Sequence, residues 1–168
     1  MKKFLTVLFV LSIQLILAQE ATTYYLIRHA EKDRSDPSNS NPELTLEGRQ
    51  RSQRWSAVFE RIALDAVYST NYLRTIQTAS PTAEAHHIAI QFYDPRALYS
   101  EEFKASTKGQ NVLIVGHSNT IPELANAILG EQQFENIPDD INSYLYVITV
   151  IDNYANSILF TIDYKERD

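Results

Sequence analysis

Two short hydrophobic runs along the chain are each followed at once by a histidine. Residues 24–27 precede Arg28 and His29, and residues 112–115 precede Gly116 and His117. Runs of this length and composition are typical of strands buried on both faces of a parallel sheet. Because ligands bind at the carboxyl ends of the strands in such sheets, we expect both histidines at one binding edge.

The rest of the chain alternates amphipathic segments with further apolar runs. Thr45 is a predicted N-cap, and the helix after it presents an apolar stripe in which Trp55 is a core residue. A second helix starts near Leu73, and Pro81 predicts a kink or a restart within it. The other predicted elements are strands 65–69 and 88–92, a helical turn at 101–104, helix 121–129, and strands 144–151 and 158–164 joined by a loop at 152–156. This order predicts an α/β protein with three α/β/α layers and a mostly parallel central sheet.

The N-terminal segment has the layout of a secretory signal peptide. Lys2 and Lys3 precede a mainly apolar stretch that ends at Ala18. We therefore predict a signal peptide over residues 1–18 and one domain over residues 22–168, exported to the periplasm or secreted, with no stable membrane anchor after cleavage. Ile16 stands where a small residue is preferred, so a retained anchor is the alternative, although this apolar stretch is short for a span.

Composition narrows the chemistry. The chain has no cysteine, which excludes disulfides, thiolate metal sites and thiol catalysis. Its formal charge is −6, from 15 basic and 21 acidic residues, and this argues against non-specific binding of nucleic acid. An anionic ligand would need positive charge placed locally, and Arg28 and Arg74 are candidates for that role.

A polar segment of more than a dozen residues begins directly after the first histidine. Residues 30–43 are rich in Asp, Ser, Asn and Pro, which predicts a loop. Loops of this length within a compact domain are often functional. A solvated connector explains the composition equally well, but the position predicts a wall over the site.

Two histidines and two arginines at the strand ends suit the chemistry of phosphoryl groups. Arg28 and Arg74 could each donate parallel hydrogen bonds to phosphoryl oxygens. His29 or His117, kept neutral by neighbouring cations, could attack phosphorus and carry a covalent phosphohistidine. This chemistry requires no metal ion and no cofactor.

Four sequence blocks, in order and each on its predicted element, resemble signatures of one family. The blocks are Leu26–Glu31 (L-I-R-H-A-E), Leu44–Gly48 (L-T-L-E-G), Tyr68–Ala79 (Y-S-T through R-T-I-Q-T-A) and Val115–Asn119 (V-G-H-S-N). Together they resemble the histidine phosphatase superfamily, which has the phosphoglycerate-mutase-like fold. The resemblance covers roughly residues 24–130 and is that of a small single-domain member.

The resemblance implies roles for the residues that match its motifs. His29 would be the nucleophile that accepts the phosphoryl group. Arg28, Arg74 and His117 would form the phosphate pocket, and Ser118 could add a hydrogen bond.

The proton donor is less well defined, because the match weakens after the third strand. Members of the family place an acidic residue in this region, which favours Asp94, with Glu101 and Glu102 as alternatives. Glu31 and Asn119 are candidate substrate contacts.

These observations predict a metal-independent phosphomonoesterase whose partner is a phosphorylated small molecule or a phosphoprotein. A phospho-ligand-binding protein without activity is the main alternative. A serine hydrolase is disfavoured, because a nucleophile elbow at Ser118 needs a glycine where Thr120 stands. A metal-dependent hydrolase would usually show tighter ligand spacing than His29 and His117 offer.

Overall fold

The computed structural model describes residues 20–97, 99–152 and 154–162. The signal peptide predicted over residues 1–18 therefore lies outside the described residues. Within the described ranges, no helix combines the length and the apolar character that a bilayer crossing requires.

Strands and helices alternate along the described chain before a final pair of strands. The elements are β1 (Ala21–Arg28), α1 (Leu46–Phe59), β2 (Ala66–Ser69), α2 (Leu73–Ala85), β3 (Ile90–Phe92), α3 (Glu101–Thr107), β4 (Asn111–Gly116), α4 (Thr120–Leu129), β5 (Tyr144–Ile151) and β6 (Tyr154–Thr161). This is the predicted order of elements.

Two local predictions need correction. The loop predicted at 152–156 extends too far along the chain, because β6 already begins at Tyr154 and pairs with β5 along its whole length. Polar residues open β6, and backbone pairing places them in a strand that their hydrophobicity did not reveal. Helix α2 passes through Pro81 as one element, so no restart occurs there. Ala79 and Ala83, on either side of Pro81, are buried and anchor the helix to the sheet.

The six strands form one mixed sheet in the order β3-β2-β4-β1-β5-β6. The strands β3, β2, β4 and β1 are parallel to one another. Strand β5 pairs antiparallel with β1 on one side and with β6 on the other. The carboxyl ends of β2, β4 and β1 therefore lie side by side, as the strand-end prediction requires.

Alternate residues of the central strands face opposite layers of helix. Leu26 of β1 packs in a cluster with residues of α4, whereas its neighbour Ile27 packs with residues of α1 and α2. Trp55 is almost fully buried in the second cluster, which confirms its assignment to the core. Helices thus cover both faces of the sheet.

The register between β1 and β4 sets up the site. Arg28 pairs with Gly116, so His29 and His117 follow immediately on neighbouring parallel strands. A Cβ atom on Gly116 would lie 2.6 Å from the hydroxyl oxygen of Tyr93, so close packing accounts for the glycine before His117.

The segment after His29 is held to the start of α1. Lys32 forms an isolated antiparallel bridge with Leu44, and the Thr45 backbone N–H donates to the Glu31 carbonyl oxygen at 2.9 Å. The side chain of Thr45 accepts from the N–H of Gly48, which confirms the predicted N-cap. A Cβ on Gly48 would overlap the Glu31 carbonyl oxygen, so only glycine allows this approach. Backbone hydrogen bonds therefore fix both ends of the loop that joins β1 to α1.

Candidate active site

His29 is a buried residue whose ring orientation is fixed. Its Nδ1 lies 2.8 Å from the Ala30 carbonyl oxygen, and its own carbonyl oxygen accepts from the Asn142 side-chain amide at 2.7 Å. Because a carbonyl oxygen can only accept, Nδ1 carries the proton. The neutral ring therefore keeps a free lone pair on Nε2, the atom required for nucleophilic attack.

The second histidine lies beside the first, with ring centroids 5.5 Å apart. His117 Nε2 is 3.0 Å from the Thr70 hydroxyl oxygen, which is 2.9 Å from the hydroxyl oxygen of Thr75. Thr75 is within 2.9 Å of backbone carbonyl oxygens and donates its single proton there. Thr70 then donates to Thr75 and accepts from His117, which places the His117 proton on Nε2.

Arg74 presents a guanidinium group without an acceptor. It lies in the first turn of α2, with its Cζ atom 4.3 Å from the ring centroid of Tyr72. Its Nε and Nη1 atoms are buried and have no hydrogen-bond partner. Buried N–H groups are rarely left unpaired, so this geometry favours an external anion.

Arg28 has hydrogen-bond partners on Nη1 and Nη2 but none on Nε. Its Nη1 donates to the carbonyl oxygens of Pro138, Asp139 and Ile141 at 2.9–3.1 Å, and its Nη2 donates to the Asp139 carboxylate at 2.8 Å. Only its Nε is buried without a partner. The loop before β5 therefore fixes the guanidinium and leaves one donor available.

The electrostatic environment keeps both histidines neutral. Burial lowers the pKa of His29 to about 3, with further lowering by the positive charges of Arg28 and Arg74. Burial also lowers the pKa of His117 to about 4, and Arg74 is the largest charged contributor, followed by Lys32. The arginines therefore lie close enough to act on both rings, and the Nε2 of His29 is unprotonated near neutral pH.

Three other residues were predicted to contact phosphate or substrate, and their side chains make no contact with Arg28, His29, Arg74 or His117 among the hydrogen bonds and ion pairs of the described residues. Ser118 is half-buried, and its carbonyl oxygen accepts from the N–H of Ile137 at 2.8 Å. Asn119 is exposed at the start of α4 and makes no side-chain cap. Glu31 forms an ion pair with Arg51 of α1, which directs it toward the helix. The roles predicted for these three residues stay predictions.

The predicted proton donor lies further out. Asp94 follows β3, the edge strand, and its carboxylate accepts from Nε and Nη2 of Arg96. These hydrogen bonds to Arg96 lower the pKa of Asp94, which favours its ionised form. Asp94 and Glu102 line a cavity of about 360 Å³, and none of the four central residues (Arg28, His29, Arg74 and His117) lines it. Glu101, the other alternative, pairs with Lys104 on the surface.

Four residues of the site were not singled out from the sequence. Asn142 and Asp139 hold His29 and Arg28 across more than one hundred residues of chain, a contact that no local pattern reveals. Lys32 acts on the pKa of His117, and its position three residues after His29 was the available signal. Thr70 belongs to the strand-end block that the sequence had already marked.

Among the described residues, no group of three or more His, Asp or Glu side chains could hold a metal ion. The unpaired donors of Arg28 and Arg74 beside the neutral ring of His29 form an arrangement that a tetrahedral anion would fit. A site of this kind, at the carboxyl ends of a parallel sheet, is suited to phosphoryl transfer through histidine.

Comparison with known proteins agrees with this chemistry. The sequence model of the histidine phosphatase superfamily (branch 1) matches residues 24–95. No protein of curated function matches the sequence. The match covers fewer than half of the residues, so together with the shared fold described next it makes the chain similar to the histidine phosphatase superfamily, and it supports the prediction of a phosphatase enzyme.

Solved structures share the fold at low identity. One structure is described as the phosphohistidine phosphatase SixA from Agrobacterium tumefaciens. It is 23% identical with a TM-score of 0.63, and the alignment covers 84% of this chain and 99% of that protein. The protein histidine phosphatase SixA in complex with tungstate is 15% identical, with a TM-score of 0.66 and coverages of 83% and 96%. Mycobacterial glucosyl-3-phosphoglycerate phosphatase is 12% identical, with a TM-score of 0.64 and coverages of 85% and 100%.

Proposed function

We propose that the protein is an exported phosphatase that hydrolyses phosphomonoesters or phosphoramidates through a covalent phosphohistidine on His29. The observation that carries this proposal is the set of three buried, unpaired N–H groups on Arg28 and Arg74 beside a free imidazole nitrogen. Leaving a buried donor unpaired costs about 1–3 kcal/mol. A phosphoryl dianion supplies the missing acceptors and the opposite charge.

The reaction proceeds in two displacements at phosphorus. Arg28 and Arg74 hold the non-bridging oxygens while His29 Nε2 attacks, so an N–P bond forms as the bond to the leaving oxygen or nitrogen breaks. The negative charge of the bound group raises the pKa of His117, which then donates a hydrogen bond to a phosphoryl oxygen. Water next attacks phosphorus and gives its proton to the carboxylate that protonated the leaving group, the N–P bond breaks, and inorganic phosphate leaves with His29 Nε2 free again.

The leaving group must receive a proton, and Asp94 stays the proposed donor. Its pairing with Arg96 argues for the ionised form, so Asp94 can act only when substrate displaces Arg96 or changes the local charge. An aryloxide leaves with little acid assistance, whereas an alkoxide or an amine requires a proton. An Asp94→Asn variant should therefore lose more activity on alkyl phosphates than on aryl phosphates.

The substrate proposed is a phosphorylated small molecule, with a phosphoprotein as the alternative. The structural neighbours include both kinds, because one is named a protein histidine phosphatase and another a phosphatase of glucosyl-3-phosphoglycerate. Tungstate is a tetrahedral oxyanion like phosphate, and its complex with one neighbour supports the proposed anion pocket. The predicted export favours a small molecule outside the cytoplasm.

Turnover of an aryl phosphate by the purified chain, with a chelator present, tests the mechanism. We expect a His29→Asn variant to lose turnover and to form no phosphohistidine, which is detected as an acid-labile, alkali-stable phosphate on the wild-type protein. His87→Asn is the matched control, because His87 is exposed and its φ of 57° is a conformation that asparagine tolerates. Full activity of His29→Asn would refute the proposal.

Export is tested separately by fractionating the host cells and measuring the mass of the protein by mass spectrometry. We expect a chain that begins after about Ala18, outside the cytoplasm. An intact N-terminus in the cytoplasmic fraction would refute export and leave the catalytic proposal standing.

A further inference from the structure

Tyr72 is a large side chain that contacts two of the four central residues. The Cζ atom of Arg74 lies 4.3 Å from the centroid of the Tyr72 ring. The ring centroid of His117 lies 5.2 Å from that of Tyr72, and the two ring planes are nearly perpendicular, at 88°. One aromatic ring therefore joins the arginine in the first turn of α2 to the histidine that follows β4.

The guanidinium of Arg74 has the ring of Tyr72 as its defined contact. Its Nε and Nη1 atoms are buried and unpaired, and within residues 20–97, 99–152 and 154–162 it forms no hydrogen bond or ion pair. Arg28 differs, because backbone carbonyl oxygens and the Asp139 carboxylate hold its guanidinium. A guanidinium within about 6 Å of an aromatic centroid is attracted to the face of the ring. The contact with Tyr72 is therefore what can order Arg74 before an anion binds.

The backbone that carries this ring is fixed. The Tyr72 N–H donates to the Thr70 carbonyl oxygen at 2.9 Å, and the Tyr72 carbonyl oxygen accepts from the N–H of Ile76 at 3.0 Å. The N–H of the next residue, Leu73, donates to the side-chain oxygen of Asn41 at 2.9 Å. The ring itself is 40% exposed, so it fills little of the core. It is therefore a firmly attached side chain whose main described contacts are with the site.

We propose that Tyr72 is a positioning residue, which orders the Arg74 guanidinium beside His117 so that its unpaired donors are ready for a phosphoryl group. The proposal rests on the proposed function and assigns part of the phosphate affinity to the aromatic ring, not to the phenol hydroxyl. The physical reason is entropy, because arginine has many rotamers and immobilising them on binding costs affinity. A ring that already immobilises Arg74 in the free protein removes that cost.

NMR and calorimetry test this role without requiring turnover. The heteronuclear NOE of the Arg74 Nε–H group, assigned by its loss in Arg74→Met, reports the order of the guanidinium in the phosphate-free protein. We expect high order in the wild-type protein and in Tyr72→Phe, which keeps the ring, and low order in Tyr72→Leu and Tyr72→Gln. Inorganic phosphate should bind the last two variants about two- to tenfold more weakly, the range expected for ordering one long side chain. Tyr72→Phe should restore the wild-type affinity.

Tyr154→Leu is the matched control, because Tyr154 is 84% exposed on β6, an edge strand that carries none of the four central residues. It should change neither measurement. An Arg74 Nε–H group that stays equally ordered without the ring, or an unchanged phosphate affinity in Tyr72→Leu and Tyr72→Gln, overturns the role. A ring that only supported the fold would lower the urea midpoint and leave the affinity of the folded protein unchanged. Failure to form a phosphohistidine overturns the catalytic mechanism instead, so the two failures are distinguishable.

Discussion

Replacing Arg74 with methionine should stabilise the ligand-free protein while removing its affinity for phosphate. The guanidinium of Arg74 has two buried donors without acceptors, Nε and Nη1. Methionine is also long and unbranched, so it fills the space of the side-chain stem without bringing buried donors. The variant therefore separates the contribution of the Arg74 side chain to phosphate affinity from its contribution to the free energy of unfolding.

The size of the effect follows from the contacts of Arg74. Each unpaired donor costs about 1–3 kcal/mol when fully buried, and this side chain is only half-buried, so the two together cost about 2 kcal/mol. Losing the contact with the Tyr72 ring removes about 0.5–1 kcal/mol of favourable interaction. The free energy of unfolding should therefore rise by about 1 kcal/mol.

Urea unfolding at neutral pH, with and without inorganic phosphate, measures both effects. Phosphate should raise the midpoint of the wild-type protein and leave that of Arg74→Met unchanged, because a ligand stabilises only the state that binds it. Arg49→Met is the matched control, since Arg49 is exposed and pairs with the exposed Glu43. It should change stability by less than about 0.5 kcal/mol. Destabilisation of Arg74→Met by more than about 1 kcal/mol would refute the reasoning.

Two further predictions concern the nucleophile and its support. The folded-state pKa of His29, about 3, lies below its ordinary value of 6.5, so the unfolded chain binds more protons between these values. Stability should fall as the pH decreases from about 6.5 to about 5, by up to about 1.4 kcal/mol per pH unit from His29. Urea unfolding should show a shallower pH dependence in His29→Asn than in His87→Asn, and equal slopes would contradict the assigned burial. A Gly48→Ala variant should lose about 1–3 kcal/mol, because its Cβ overlaps the Glu31 carbonyl oxygen. Gln53→Ala, at an exposed position of the same helix, should change unfolding by less than about 0.5 kcal/mol, and equal stability of the two variants would contradict the steric argument.

The pocket illustrates which parts of a site can be inferred from sequence. His29 and His117 each follow a buried strand directly, and a parallel sheet aligns the ends of its strands. Arg74 begins the helix after β2, which places it at the same edge. Their proximity therefore depends only on local pattern and general sheet geometry.

Asp94 shows where that argument weakens. It also follows a strand, but β3 is the edge of the sheet, two strands away from β4. Strand order is not contained in the local pattern, because it depends on how the crossover helices pack. The carboxylate consequently lies with Arg96, and its proposed role depends on a rearrangement that binding would have to supply.

The sequence by itself determined the order of elements, the core role of Trp55 and the group of His29, His117, Arg28 and Arg74. Each depends on a hydrophobic period, a strand end or a motif, all of which act over a few residues. The tertiary structure alone decided that Asp139 pairs with Arg28, that Asn142 donates a hydrogen bond to the carbonyl oxygen of His29 and that the charge of Lys32 lowers the pKa of His117. The first two contacts join segments more than one hundred residues apart, and the bridge to Leu44 fixes the backbone of Lys32.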